Sequence, residues 1–542
     1  MKTKSVQNEG LLFSNPICAL PRKSELGIFL QKNDTNAKKG MVINMKRVLT
    51  APQMKRCDSY TIDTIGVPSR ELMGRAAKAA YDLIKEENFD TSRVLCLCGT
   101  GNNGGDGLAV AMMFHEDGTD VQFLVCGDKS KMTDECRYRY DCLADNGVAE
   151  LNEIKLDGIT LIVDALLGIG LSGNVRDGMS DMICKVNKSG IPVVAIDIPS
   201  GINSDTGVVM GCAVNAAVTV SFAYLKPGHI FYPGRTFCGK TYVADIGIGC
   251  DGVSDDLTVI NAAEDEDIKK MLPVRVPDSH KGTYGRLLVV AGSEGMFGAS
   301  YFSSLSAYRS GAGLVEVFTS DGNVPLIQTK LPEAIAVGYG ETPVQTMRDK
   351  LRVADACVIG PGLGQSSVAA RLVEEALFSE VPLLIDADAL SIIAASDSLK
   401  ELLRARKSPA VVTPHLGEMA RLTGAAISDI TADPIKFASD YSKEYGVVCV
   451  QKNSVTVIAE NDRVNINLTG CSAMAKGGSG DVLTGIIGAF LAAGCDAYDS
   501  AVCGVYLHGR AGEIASSHYG EYSVLASDTA NCIGEAISSV GL

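Results

Sequence analysis

The sequence predicts an α/β protein made of two successive blocks, each a parallel sheet covered by helices. From residue 50 onward short apolar runs alternate with longer helical patterns, as expected where crossover helices join the strands. Several runs end in glycine-rich turns or aspartates, at the strand ends where open parallel sheets collect ligands. Length agrees, since 542 residues at roughly 150 per domain allow two to four domains.

In the first block, strands are expected at 94–98, 121–126, 161–166, 193–196, 217–222 and 240–246. In the second they are expected at 287–291, 313–318, 356–359, 383–386, 410–413 and 447–451. Such short, nearly continuous apolar runs suit strands buried on both faces. Residues 251–269 mix acids with short apolar pieces and read as a connector. Residues 1–44 are polar, Lys-rich and aperiodic, which reads as a disordered extension or an upstream start, with a transit peptide as the second reading. Patterned sequence begins at Lys46.

Charge excludes some function classes. The 49 Lys and Arg against 64 Asp and Glu leave a net −15, which disfavours nucleic acid or an anionic membrane as the main partner. No apolar run approaches the roughly 20 residues of a membrane helix. The 17 cysteines are scattered without a C-x-x-C pair, so reduced thiols in a cytoplasmic protein are expected, with neither a disulfide framework nor a zinc site.

The first chemistry-bearing stretch is Gly99-Thr100-Gly101-Asn102-Asn103-Gly104-Gly105-Asp106-Gly107, between a strand-like and a helix-like run. Glycines let backbone N–H groups approach an anion and take positive φ cheaply, and the next helix adds the positive end of its dipole. Asn102, Asn103 and Asp106 add polar groups for a ribose, a cation or a reacting carbon. Asp164 and Asp197 close two later strands, and Gly168, Ile169, Gly170, Leu171, Ser172, Gly173 and Asn174 form a second flexible loop. Singly, each Asp is an ordinary cap worth about 1 kcal/mol; together, Asp106, Asp164 and Asp197 point to one crevice.

This combination, with Asp197-Ile198-Pro199-Ser200-Gly201, Lys226-Pro227-Gly228 and Asp245-Ile246-Gly247-Ile248, resembles the N-terminal epimerase domain of the YjeF family over 46–250. The resemblance implies a Rossmann-like three-layer αβα fold that acts on hydrated NADH and NADPH. By it, Asn102 to Asp106 (Gly104 and Gly105 included), Gly168 to Asn174 and Asp197 hold the hydrated dinucleotide. Asn103, Asp164 and Ser200 give oxygen ligands to K⁺. Asp197 is the expected acid/base while the C6 carbinol exchanges configuration. Lys226 reads first as an exposed surface lysine, with a part in proton transfer second.

The second block carries Ala475-Lys476-Gly477-Gly478-Ser479-Gly480-Asp481-Val482-Leu483-Thr484-Gly485, a glycine loop opening a helix with an aspartate in its first turn. Amides there stabilise phosphate charge, and the carboxylate can take a proton from an attacking hydroxyl, which is kinase chemistry. Lys452-Asn453-Ser454-Val455-Thr456 follows a strand, and Glu418 lies three residues after His415, a spacing that shares one helical face. Glu418 suits Mg²⁺ held through water.

Together with His280-Lys281-Gly282-Thr283-Tyr284-Gly285, Gly360-Pro361-Gly362-Leu363-Gly364 and Thr413-Pro414-His415, these residues resemble the ribokinase superfamily. Within it, they match the C-terminal dehydratase domain of the same YjeF family over 270–542. The resemblance implies a ribokinase-like α/β fold, with Ala299, Gly364, His415 and Asp481 on the hydrated nucleotide. Lys452, Asn453, Ser454, Val455, Thr456 and Gly480 hold the adenine nucleotide. Asn453 departs from the family's usual Gly, and asparagine's tolerance of left-handed φ is expected to preserve the loop.

The expectation is a bifunctional repair enzyme with NADH hydrate, NADPH hydrate and ADP as small-molecule partners, K⁺ in the first domain, Mg²⁺ with ADP in the second, and a homo-oligomeric state. The alternative is an ATP-dependent small-molecule kinase fused to a non-catalytic Rossmann-like ligand-binding domain.

Overall fold

The computed structural model describes residues 29–30, 45–256 and 258–541. The expectation for 1–44 falls outside the described residues, apart from Phe29–Leu30, whose backbone pairs in parallel with Tyr242 and Val243.

The first sheet is parallel throughout. Its order is Phe29–Leu30, Lys240–Ala244, Val218–Phe222, Val193–Ile196, Leu161–Ala165, Arg93–Cys98, Asp120–Val125 and Ala149–Glu150. From Arg93–Cys98 the chain builds outward first to one side and then to the other. The topological switch therefore lies between Arg93–Cys98 and Leu161–Ala165, and the glycine turn and the 168–174 loop leave from those two strand ends.

The alternation of the central strand explains the layers. Val94, Cys96 and Cys98 share one apolar cluster with Leu108, Ala111 and Phe114 of the helix Asn102–Glu116. Leu95 and Leu97 face the opposite way, onto Ile183 and Val186 of the helix Asp177–Ser189. Every cysteine among the described residues is a free thiol, and burial pushes those of Cys96 and Cys98 far up, so they stay protonated.

The second sheet has eleven strands. Ile335–Gly338, Leu314–Thr319, Arg286–Val290, Ala356–Ile359, Leu383–Ile385, Ala410–Val412 and Val448–Gln451 run parallel. Val457–Glu460 and Arg463–Ile466 then return as an antiparallel hairpin that the apolar-run reading did not separate. Asn461 at its turn has φ +53°, a conformation asparagine tolerates. The helices Phe297–Arg309 and Ser479–Ala492 pack together over one face.

Two short segments join the blocks. Val259–Ala262, inside the expected connector, is a strand of the second sheet beside Arg463–Ile466, and Lys46–Arg47 pairs with it antiparallel. Val48 donates its N–H to Ile260 O (3.0 Å) and also bridges to Leu225 of the first block. Leu225, Ile230 and Phe231 share an apolar cluster with Ile260, Ala262 and Val464, so the interface between the blocks is built like a core.

Among the described residues, no helix is long and apolar enough to cross a membrane.

Candidate active sites

The glycine turn owes its composition to packing. A Cβ on Gly99 would fall 2.0 Å from Leu166 O, one on Gly104 2.0 Å from Gly99 O, and one on Gly107 2.4 Å from Ala165 Cβ. None of the five glycines takes a positive φ, which corrects that part of the sequence reading. Gly101 alone faces open space. Gly105 is buried and a Cβ there would meet the end of Met73, so it supports the turn from behind.

A cleft of about 1100 Å³ opens above the switch point. It is lined by Asn102, Asn103, Gly104, Asp106, all seven residues 168–174, Asp197 and Lys226. The sequence-predicted residues of both loops thus meet in one crevice.

Asp164 lies beneath the cleft, 1% exposed. Its Oδ2 accepts the Ser200 N–H at 2.8 Å and its Oδ1 accepts the Ser200 Oγ–H at 2.6 Å. Ser200 Oγ in turn accepts the Leu167 N–H (2.9 Å), and Asn103 Nδ2 donates to Leu167 O (3.1 Å). Burial raises the Asp164 carboxyl to about 6 despite these donors. A buried carboxylate, a hydroxyl, a side-chain amide and a main-chain carbonyl grouped this closely form an oxygen-rich set that suits a hard monovalent cation.

Lys226 is not a surface residue. It is 1% exposed, and its ammonium sits 2.5 Å from Asp197 Oδ1, 3.0 Å from Ser221 Oγ and 3.1 Å from Phe222 O. The sequence reading failed because the chain around Leu225 turns under the second block, which no local pattern signals. Asp197 itself has φ +65°, and its carbonyl accepts a bond from His229 Nε2 at 2.7 Å. His229 Nδ1 accepts the Lys226 N–H (3.0 Å), which fixes the proton on Nε2. Burial and the neighbouring Lys226 depress this imidazole to about 4, so it stays neutral.

Sequence reasoning missed His229, and also Asp58, which lines the same cleft from the helix Ala51–Ser59. Burial and then the Asp197 charge raise the Asp58 carboxyl, and the same two causes hold Asp106 well above the usual carboxylate range. Three carboxyls, Asp58, Asp106 and Asp197, thus share this cleft, and Asp197 is paired with a buried cation.

In the second block the expected residues gather at the carboxyl ends of the strands. The helix Ser479–Ala492 starts after Gly478, which has φ +90°, and Asp481 stands in its first turn. Burial and then the Asp386 charge raise Asp481 to about 6, and Lys452 opposes them. Lys452 Nζ binds Asp386 Oδ1 at 2.6 Å, and Asp386 Oδ1 also accepts the Thr413 Oγ1–H at 2.7 Å. A Cβ on Gly480 would lie 3.6 Å from Lys452 Nζ and 3.9 Å from Asp386 Oδ2, so this ion pair adjoins the helix start. Asp386, read from sequence as a strand end, and Thr413, read as part of the Thr413-Pro414-His415 motif, both join this cluster.

His415 caps the helix Leu416–Thr423. Its Nδ1 accepts the N–H groups of Gly417 (3.0 Å) and Glu418 (3.3 Å), and Glu418 Oε2 accepts the His415 N–H (2.8 Å). Glu418 is 5% exposed and burial raises its carboxyl, a state that a nearby cation relieves. His415 bridges to Lys452, whose N–H reaches Pro414 O at 2.8 Å, so the two loops are stitched together.

The 452–456 loop is the hairpin turn between Val448–Gln451 and Val457–Glu460. Asn453 is exposed and is not left-handed, so its tolerance of that conformation is not what preserves the loop. Ser454 is exposed, Val455 points into the core, and Thr456 is tied to Asn467 through its carbonyl (3.0 Å). Ala299 lies in the first turn of Phe297–Arg309, and a Cβ on Gly362 would meet its Cβ at 2.9 Å. Gly364 has φ +75° and donates its N–H to Asp388 Oδ2 (2.8 Å).

Comparison with known proteins places both blocks in families. Residues 69–228 match the family described as YjeF-related protein N-terminus, and residues 287–534 the family described as NAD(P)H-hydrate dehydratase. The bifunctional NAD(P)H-hydrate repair enzyme Nnr of Escherichia coli is 34% identical over 498 residues, which are 91% of this chain and 95% of that protein. The chain belongs to the bifunctional NAD(P)H-hydrate repair enzyme family. A second member of the repair family, from Coxiella burnetii, is 34% identical over 479 residues, 88% of this chain and 96% of its own. A crystal structure described as an ADP/ATP-dependent NAD(P)H-hydrate dehydratase from Bacillus subtilis, co-crystallised with ATP and Mg²⁺, is 33% identical. It covers 51% of this chain and 97% of its own, with a TM-score of 0.47.

Proposed function

We propose that this chain repairs hydrated nicotinamide nucleotides in two steps: the first domain interconverts the two C6 epimers of NAD(P)H hydrate, and the second dehydrates the S epimer with ADP as phosphoryl donor. The single observation that supports this reading is the presence in one chain of two separate buried lysine–carboxylate pairs, Lys226–Asp197 and Lys452–Asp386, the second beside the raised carboxyl of Asp481.

In the first cleft, Asn102, Asn103, Gly104, Asp106 and the 168–174 loop hold the dinucleotide with C6 near Asp197. Asp197 takes and returns the proton that must move as the carbinol loses and regains its configuration. Lys226 holds that carboxylate in place, and His229 holds the backbone that carries it. Asp164, Ser200 and Asn103 would hold K⁺, which would supply a fixed positive charge.

In the second site, Asp481 accepts the proton of the 6-hydroxyl, whose oxygen attacks the β-phosphorus of ADP and releases AMP. The ring nitrogen then donates its electron pair, the C6–O bond breaks, phosphate leaves and C5 loses a proton, restoring the C5–C6 double bond. The amides at the start of Ser479–Ala492 neutralise the transferring group. Lys452, Asn453, Ser454, Val455, Thr456 and Gly480 hold the adenine nucleotide, and Ala299, Gly364 and His415 hold the hydrated ring. Glu418 holds Mg²⁺ through water, and Mg²⁺ supplies charge neutralisation at the phosphates.

The test is product analysis. Incubation with S-NADH hydrate and ADP is expected to give NADH, AMP and phosphate in equal amounts. Accumulation of a stable phosphoester from a small alcohol, with no NADH formed from hydrate, would instead identify a small-molecule kinase.

A further inference from the structure

His508 is a buried histidine that the mechanism above leaves unused. It lies in the long helix Ala497–Tyr519, 9% exposed, and its Nε2 is 3.3 Å from Ser479 Oγ. Ser479 opens the helix that carries Asp481 two residues later, directly after the left-handed Gly478. A hydroxyl at this position stands among free helix-start amides, where a phosphoryl group is to be stabilised.

We infer that His508 is a positioning residue for phosphoryl transfer: its Nε2–H donates to Ser479 Oγ, turning the serine hydroxyl hydrogen outward to the transferring group. This rests on the dehydratase reading of the second site. The direction is assigned from what Ser479 faces, since a neutral ring carries its one proton on either nitrogen. Burial and then the Lys452 charge depress the imidazole to about 4, so the ring is neutral and carries one proton. With the imidazole as donor, the serine oxygen accepts and its own hydrogen is free. With the ring reversed, Ser479 would spend its hydrogen on the histidine and present only lone pairs to a phosphate, which is repulsive. A lone serine at this helix start would be free to rotate.

The test is a double-mutant cycle on the full chain, read as kcat and KM for ADP in S-NADH hydrate dehydration, with epimerase activity as an internal control. Ser479→Ala and His508→Leu are each expected to lower kcat/KM by about ten- to a hundredfold, the worth of one hydrogen bond to a charged group. The double variant is expected to be no worse than Ser479→Ala alone, because both remove the same interaction. His508→Gln, which keeps an amide N–H at a similar reach, is expected to recover most of the loss in a Ser479 background and none in Ser479→Ala. Independent, multiplying losses from the two single changes overturn the inference, as does a Ser479→Ala enzyme with unaltered constants. If His508→Leu misfolds, the Gln pair of comparisons decides alone. An unmodified chain that dehydrates nothing with ADP or ATP refutes the dehydratase reading itself.

Discussion

Lys226 Nζ lies 2.5 Å from Asp197 Oδ1, and the lysine is wholly enclosed between the first sheet and the turn that packs on the second block. A buried ammonium with one carboxylate partner is costly to leave unpaired, so the two residues act as a unit. Lys226→Met is expected to lower the epimerisation rate by about 10²-fold or more, comparable to Asp197→Asn, while dehydration of S hydrate is unchanged. Epimer ratios followed by chromatography in mutant and parent check this. Equal epimerisation in Lys226→Met would remove the lysine from the site.

Asp481 supplies a pH test. Its carboxyl is raised to about 6, and the role proposed for it needs the base form, so the dehydration rate is expected to climb as pH rises through about 6 and to level above it. The folded state holds this proton more tightly than the unfolded chain does, so the stability cost of Asp481 is absent below about pH 4 and complete above about pH 6. Asp481→Asn is therefore expected to be inactive in dehydration yet more stable by about 1–3 kcal/mol at pH 8, with no gain at pH 4. Denaturant melts at the two pH values measure it.

Two glycines of one turn are expected to behave in opposite ways. Gly104→Ala places a Cβ 2.0 Å from Gly99 O and is expected to cost about 1–3 kcal/mol, whereas Gly101→Ala meets nothing within 4 Å and is expected to be nearly neutral in stability. Thermal melts of both variants decide. Equal effects would mean that the turn is not held by backbone contact.

The oxygen set around Leu167 predicts a cation dependence confined to one activity. Replacing K⁺ by a smaller alkali ion is expected to slow epimerisation and leave dehydration alone. Ser200→Ala, which removes a hydroxyl bound to both Asp164 and the Leu167 loop, is expected to raise the K⁺ needed for half-maximal rate.

Much of this was legible in the chain because parallel strands are buried on both faces and announce themselves as apolar runs. The twelve expected strands recur within about two residues, since 94–98 becomes Arg93–Cys98 and 356–359 is unchanged as Ala356–Ile359. What stayed hidden depends on long-range contacts. Val259–Ala262 reads as a linker because its short apolar run sits between acidic stretches, and it becomes a strand only through Arg463–Ile466 on one side and Lys46–Arg47 on the other. Lys226 looks like a surface residue, and His229 carries no signal, until Phe231 and Leu225 are seen packing against the second block. The glycines of the first turn were legible as a site, but their reason was not, because neighbours such as Leu166 and Ala165 are more than fifty residues away along the chain.

Asp197 and Asp481 are proposed to head two independent proton-transfer centres serving one damaged pool. The direct measurement is absorbance at the reduced-nicotinamide band for mixed NADH hydrate epimers with ADP, Mg²⁺ and K⁺, using the parent chain, Asp197→Ala and Asp481→Ala. The parent is expected to convert both epimers rapidly, Asp197→Ala to recover rapidly only the S share, and Asp481→Ala to equilibrate the epimers without forming NADH. Loss of both activities in either single variant, with its fold intact, would contradict the two-centre account.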